Sequence, residues 1–533
     1  MRILVAILLS ALLPLAAPAR TIHGTGTQVG GPEIYPGCTV VPTTYGNVWY
    51  IDPVNGSDLT SIAAGGGTAA HPWQTVQSLT TSGAWGGPRL AFYPGSSGQI
   101  HDGDEVLLNS GTYNTALSLT PYPPITLSKG LTIAAAPGQT PVLNGANTSN
   151  INRIRISGLT LRGTGSYGGA LMYASSSTDI VFDNNNVAVV EDAARTSYTA
   201  ANWTTYVTSG GVKTDNVSRC ISVSHNTIHN VTYGANIFAS NNLIADNTIS
   251  YTIDDAIDFG GDHYLISGNF MHDQILVDGN HPDCIQGWGS AGGGHGQDGQ
   301  YVDILIQRNW CQRSNDPTDL FATAAQGIDA FNSGWTDVRI LDNVVVTTAC
   351  WGLSWGGAHY ALFAHNTVVW DGSTLNGACT TAGSLQANGF TSTEYGYGDH
   401  IVFVDNISPT AQANMGSQQI PAGSRVNANM VTNNFWYWNG TSAVITEVAG
   451  TYFGDNVLSP NDPPLGFTTQ SRSNGPFDFH LTSGSPAIGL GETSSAELSA
   501  LTAQFPNITM PLTDYAGNAF STTSPPAGAY TYP

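Results

Sequence analysis

Ile221-Ser-Val-Ser-His-Asn226, Leu243-Ile-Ala-Asp-Asn247, Leu265-Ile-Ser-Gly-Asn269, Ile304-Leu-Ile-Gln-Arg-Asn309, Val338-Arg-Ile-Leu-Asp-Asn343 and Ala361-Leu-Phe-Ala-His-Asn366 are six versions of one phrase. Each alternates apolar and polar residues, the period of a strand with one buried face, and each stops at an asparagine. Asn226, Asn247 and Asn269 stand 21 and 22 residues apart, and Asn343 and Asn366 stand 23 apart. Longer intervals fall where glycine-rich insertions such as Gly289 to Gly299 intervene. Ile180-Val-Phe-Asp-Asn-Asn185 is an earlier member of the series and Ile401-Val-Phe-Val-Asp-Asn406 a later one. A repeat of this length, with short strands and Asn/Gly turns, predicts a solenoid whose units bury their apolar sides against one another. The repeated asparagine reads as structural: Asn tolerates the left-handed backbone of tight turns, and stacked Asn side chains hydrogen-bond along a coil.

Composition agrees with an all-β chain. Glycine is abundant (62 residues) and charge is sparse (10%), where a helical protein would be rich in Ala, Glu, Lys and Leu. A net charge of −22 leaves too few Lys and Arg to neutralise phosphates, which argues against nucleic acid. It also weighs against a polyanionic substrate unless a cation mediates the contact. Arg2, the apolar run Ile3 to Leu15 and the small-x-small Ala17-Pro18-Ala19 read as an export signal over 1–19. That run is too short to span a membrane, and no later stretch reaches spanning length, so the expected location is secreted or periplasmic. Six cysteines then permit disulfides. Cys284 with Cys311 and Cys350 with Cys379 are close in sequence, but spacing alone leaves the connectivity open.

The two ends of the chain carry a resemblance. Tyr50-Ile-Asp-Pro-Val-Asn-Gly-Ser-Asp58, His71-Pro-Trp-Gln-Thr-Val-Gln77 and Gly103-Asp-Glu-Val-Leu-Leu-Asn-Ser-Gly-Thr-Tyr113 resemble the opening of right-handed parallel β-helix proteins. That family includes pectate lyases, alginate lyases and glycoside hydrolases. Asp478-Phe-His-Leu-Thr-Ser-Gly-Ser-Pro-Ala-Ile488, Thr513-Asp-Tyr-Ala-Gly517 and Gly528-Ala-Tyr530 resemble its C-terminal segment. The resemblance implies an all-β, single-stranded, right-handed parallel β-helix solenoid acting on a polysaccharide or oligosaccharide, and the scaffold alone does not select a reaction. The expected organisation is an N-terminal extension over 20–48, a cap and first coils over 49–145 with a short helix near Trp73 to Leu79, the main stack over 146–440, and a closing region over 441–533.

Aligning the coils on their asparagines stacks a second set of strands: Asp255-Ala-Ile-Asp258, Asp283-Cys-Ile-Gln286, Gln326-Gly-Ile-Asp329 and Trp351-Gly-Leu-Ser354. The Ile or Leu of each is expected to point inward, so the next residue points outward. Asp258, Gln286, Asp329 and Ser354 then form an exterior ladder at ~4.8 Å per coil, with Asp255 and Asp283 in one coil-equivalent place. Stacked carboxylates repel, so one is expected to hold a proton beside an ionised neighbour, the pairing that glycosidic cleavage uses. Asp258, Asp283 and Asp329 are the candidate catalytic residues for a glycoside hydrolase, which needs no cofactor. Asp255, His281, Gln286, Trp288 and Trp355 are the candidate substrate contacts, the tryptophans as flat apolar platforms for sugar rings. His272 falls instead in register with His229 and Gln312. The alternative is that the aspartates cap turns.

Asp254-Asp255-Ala-Ile-Asp258 also resembles the Asp-Asp-x-x-Asp calcium motif of one β-helix pectate lyase family. That resemblance implies calcium on Asp254, Asp255 and Asp258 and a lysine base one coil later. The place falls on Gln286, which is no base, and the chain has just Lys129 and Lys213. Lys213 lies on an earlier coil in an approximately equivalent strand. A binding or adhesin solenoid is a third reading, disfavoured because such surfaces carry flat, regular Thr or Ser ladders.

Overall fold

A computed structural model describes most of residues 34–370, leaving out 40, 42–45, 61–63, 81–88, 94–95, 97, 164–167, 278–279, 290–299, 313–320, 322–325, 331–333 and 348–350. Beyond 370 it describes 384–388, 399–414, 425–427, 430–436, 452–454, 457–458, 467–469 and, with gaps, 478–530. The export signal over 1–19, His295, Cys350 and Cys379 lie outside the described residues.

Each coil contributes strands to three parallel ladders. In one coil these are Tyr264–Ser267, Phe270–His272 and Asp283–Gly287, and the chain then returns to the first ladder at Gln300–Gln307. The first ladder runs from Val48–Ile51 to Tyr452–Gly454. Its register stacks like on like: Val223, Ile244, Ile266, Ile306, Ile340 and Phe363 follow one another coil by coil, all in the hydrophobic core. This is the expected right-handed parallel β-helix. Its cohesion follows from the alternation, because the inward side chains of the described coils are removed from water against the same neighbours above and below.

The asparagines form a continuous buried ladder at the turn between the first and second strands. Asn247 Nδ2 donates to Asn269 Oδ1 (2.9 Å), Asn269 to Asn309 (2.9 Å), Asn309 to Asn343 (3.1 Å), Asn343 to Asn366 (3.0 Å) and Asn366 to Asn406 (2.9 Å). The backbone N–H of each also donates to the next Oδ1, and each Nδ2 reaches a carbonyl of the preceding coil, as Asn247 does to Val223 O at 2.8 Å. The left-handed residue of the turn is not this asparagine. It is the residue before it, Asp246 (φ 55), Gly268 (φ 67), Arg308 (φ 53), Asp342 (φ 54) and His365 (φ 53). The asparagine instead points inward and satisfies backbone groups that the turn would leave buried and unpaired.

Two covers lie on this frame. Residues 34–39 cross the turns that lead into the first ladder: Cys38 is disulfide-bonded to Cys220, Thr39 N donates to Asp179 Oδ1 (2.9 Å) and Tyr35 OH to Asp303 Oδ2 (2.6 Å). Near the other end, Phe479, Leu481, Ala527, Ala529 and Tyr530 pack on Trp310, Val344 and Val346 of the second ladder, closing a separate apolar cluster. Helix is scarce. The turn near Trp73 is a short 3-10 helix at Val76–Leu79. Two α-helices, Asp192–Arg195 and Ala200–Tyr206, form an excursion ahead of the strand Gly210–Thr214, the second capped by a reciprocal Thr199–Asn202 box.

Candidate active site

The third ladder carries the acidic cluster in the expected register. Asn236 pairs with Asp258, Asp258 with Gln286, Gln286 with Asp329 and Asp329 with Ser354. Ile257, Ile285, Ile328 and Leu353 point into the core, so the polar residue after each is turned away from it. The ladder is nevertheless not an exposed exterior. Asp258 and Gln286 are 5% and 7% exposed, and Asp283, Asp329 and Ser354 are fully buried. Outward direction on a coil does not guarantee contact with water when neighbouring side chains lie across the strand, as the indole of Trp288 does over Asp258.

Four carboxyls meet here as two hydrogen-bonded pairs. In the first, Asp255 keeps its proton and donates to Asp258: burial, with the charges of Asp258 and Asp283, holds Asp255 well above the usual carboxylate range. Asp258 is pushed up to about 6 by burial, against the stabilising bonds from Asp255, Asn236 Nδ2 (3.0 Å) and Trp288 Nε1 (3.0 Å). In the second pair Asp329, held well above its ordinary range by burial and by Asp283, is the proton carrier. Asp283 is also raised by burial, opposed by His281 and Asp329. The pairs are linked, since Asp283 N donates to Asp255 Oδ1 at 2.6 Å. Two carboxylates in a dry site cannot both ionise cheaply, so each pair shares one proton.

Neighbouring residues hold the geometry. Gln326, in register with Asp283, presents its amide nitrogen to Asp283 Oδ1 (3.1 Å) and Asp329 Oδ2 (3.3 Å) in the orientation that satisfies all three groups. Gln274 Nε2 donates to Asp283 O (2.7 Å), and the Cys284–Cys311 disulfide, one of the two pairings considered from sequence, ties this strand to the second ladder of the next coil. His281 is largely exposed, with Nδ1 3.4 Å from Asp283 Oδ2, and the hydrogen bond to Asp283 raises its pKa. Tyr233 stands beside Asp258: burial and then the charge of Asp258 push its phenol upward. Gln326 and Tyr233 were not among the sequence candidates. The register of Gln326 with Asp283 was available as a signal, whereas nothing in the sequence brings Tyr233 to Asp258.

One candidate does not belong. Trp355 is fully buried, with its ring 5.2 Å from Trp335 and 6.3 Å from Phe259 inside the coil. Alternation explains this, because Ser354 points outward and the residue after it must point inward. Trp335 is core on the first ladder, where the left-handed Asp337 (φ 59) shifts the alternation set by Val338 and Ile340. His272 sits on the second ladder, reached from His229 through Ser250, and is bonded to Asp273.

The Asp254, Asp255 and Asp258 set does not fit calcium as arranged. Asp258 accepts from nitrogen donors on both oxygens, Asp255 Oδ1 accepts a backbone N–H, and Asp254 accepts from Asn280. Among the described residues these three do not bring an oxygen each within 4.8 Å of one another. A calcium ion needs six to eight converging oxygens.

No family model and no curated protein matches this chain. Solved structures that align with it include a pectate lyase (12% identity over 92% of this chain and 97% of that one, TM-score 0.34). A lacto-N-biosidase from Eubacterium ramulus aligns at 11% identity over 78% of this chain and 68% of that one, TM-score 0.38. The A-module of a mannuronan C-5 epimerase from Azotobacter vinelandii aligns at 12% identity over 67% and 91%, TM-score 0.41. At TM-scores this low the alignments say nothing about the reaction; the parallel β-helix is established by the chain's own coil register.

Proposed function

We propose that this protein cleaves glycosidic bonds of a polysaccharide by hydrolysis, using the carboxyl cluster of the third ladder. The observation that carries this reading is the stacking of Asp255, Asp258, Asp283 and Asp329 as two adjoining carboxyl pairs on one outward ladder, where burial raises Asp329 well above the usual carboxylate range and Asp258 to about 6. Asp329 protonates the leaving glycosidic oxygen, a step that requires substrate binding to move aside the side chains that bury it. Asp258 takes a proton from water as the water attacks the anomeric carbon, and both groups return to their starting states by exchange with solvent. The two stand two coils apart in register, ~9.6 Å between backbones, from which side chains leaning together would bring their carboxyls into the ~6.5–9.5 Å range of inverting enzymes. Asp255, Asp283 and Gln326 set these protonation states, and Trp288 and His281 stand on the approach from solvent. The disulfides Cys38–Cys220 and Cys284–Cys311 support a location outside the cytoplasm.

Elimination on a uronate is the second reading, favoured by the in-register place of Lys213 on this ladder. It is weaker because Gln286 occupies the place one coil after Asp258 and the carboxylates do not fit calcium. Incubation with neutral and uronate polysaccharides, followed by reducing ends and by absorbance of an unsaturated product, separates the two. New reducing ends without unsaturation support hydrolysis; an unsaturated product abolished by chelator reverses the order.

A further inference from the structure

Below Asp258 the same outward ladder continues through Asn236, Lys213, Tyr173 and Asn147, each in register with the next. Val212 is in the core, so Lys213 faces away from it. Two aromatic rings frame this stretch. Tyr233 lies over Gly210, where a Cβ would sit 2.0 Å from its ring, and donates through its hydroxyl to Gly169 O (3.3 Å). Tyr173 lies over Gly168, where a Cβ would come within 2.8 Å of its ring. Gly210, on the strand of Lys213, and Gly168 make seats for the two rings.

Lys213 is also the exception in its ionic surroundings. The chain has 37 acidic residues against 15 Lys and Arg. Each buried or half-buried arginine among the described residues has a carboxylate oxygen within 4.0 Å. Lys213 is half-buried and, among the described residues, has no such partner. No described residue supplies an anion to its ammonium, and a ligand can.

We infer that Lys213, with Tyr173 and Tyr233, forms a subsite for a sugar unit bearing an anionic substituent, a carboxylate or a sulfate. This rests on the reading of the third ladder as the polysaccharide site. Lys213 lies two coils, ~9.6 Å, before Asp258. A pyranose chain lying along the helix axis advances by close to one coil per ring, so the recognised unit is two rings from the one at Asp258. The Tyr173 and Tyr233 rings offer apolar faces to the sugar, and the ammonium donates to its anion. Specificity then falls on chains that are acidic at that unit.

The test is binding, measured by calorimetry in an Asp329→Asn background so that no turnover is needed, with melting temperature checking that each protein folds. Polygalacturonate, alginate, a sulfated galactan and carboxyl-reduced polygalacturonate are the probes. Lys213→Met is expected to weaken an anionic polymer about tenfold, the scale of one charge-assisted hydrogen bond, and to reduce the salt dependence. Lys213→Arg is expected to keep most of the affinity, and carboxyl-reduced polymer is expected to bind equally to all three proteins. A loss confined to the uronates assigns a carboxylate, and one confined to the galactan assigns a sulfate. Unchanged binding of every anionic polymer by Lys213→Met, an equal loss on the carboxyl-reduced polymer, or no binding of any anionic polymer overturns the subsite. Lys213-dependent binding without cleavage by the unsubstituted protein sinks the hydrolase alone.

Discussion

The indole Nε1 of Trp288 donates to Asp258 Oδ1 at 3.0 Å, although Trp288 follows the strand of the next coil. The backbone makes this reach repeatable, since Trp288 N donates to Phe259 O (2.8 Å), the residue beside Asp258. The aromatic residue thus holds an ionisable group as well as offering a ring face.

Trp288→Phe removes a donor that stabilises the Asp258 carboxylate, so the Asp258 pKa rises above about 6. Hydrolysis needs Asp258 ionised. The acidic limb of the pH–rate profile should move to higher pH in this variant, while activity on the alkaline side of that limb changes less.

Asp258→Asn and Asp329→Asn should each lower turnover by roughly 10²–10⁴, the scale of one acid or base. Melting temperature should change little for Asp329→Asn, because Asp329 carries its proton and a neutral amide replaces a neutral acid of similar size. Two fully active variants would place the chemistry elsewhere on the coil.

Stability should depend on the cluster with a definite sign. The folded pKa of Asp258 lies above the 3.8 of a free side chain, so the folded state binds more protons between about pH 4 and pH 6, and stability falls as pH rises through that window. The shift corresponds to about 3 kcal/mol. Chemical denaturation of the unsubstituted protein and Asp258→Asn across this window should show the variant's relative stability increasing by that order as pH rises.

Asn269→Ala removes the acceptor used by the side-chain and backbone nitrogens of Asn247, and the donor to Ile244 O and Asn309. These groups are buried. The expected cost is at least about 3 kcal/mol, read from urea unfolding, with the native circular dichroism retained.

Much of this architecture is local and therefore legible in the residues. The alternation of Leu265-Ile-Ser-Gly-Asn269 and its relatives shows which side chains face the core, and the recurrence of the asparagine sets the coil register. Asp258, Gln286, Asp329 and Ser354 could be aligned from those two facts, and parity alone, applied consistently, also assigns Trp355 to the core. The chain's own chemistry determined the solenoid, because period-two strands that recur every 21–23 residues bury their apolar face most completely by stacking. Tertiary structure decided what the ladder became. The burial of Asp283 and Asp329, their pairing with each other and their link to the local Asp255–Asp258 pair, the arrival of Gln326, Tyr233 and the Trp288 indole, and the tie from Cys38 to Cys220 all join residues far apart in sequence. A carboxyl's pKa is set by the solvent and dipoles within a few ångströms of it, and no period in the sequence encodes which distant side chains will lie there.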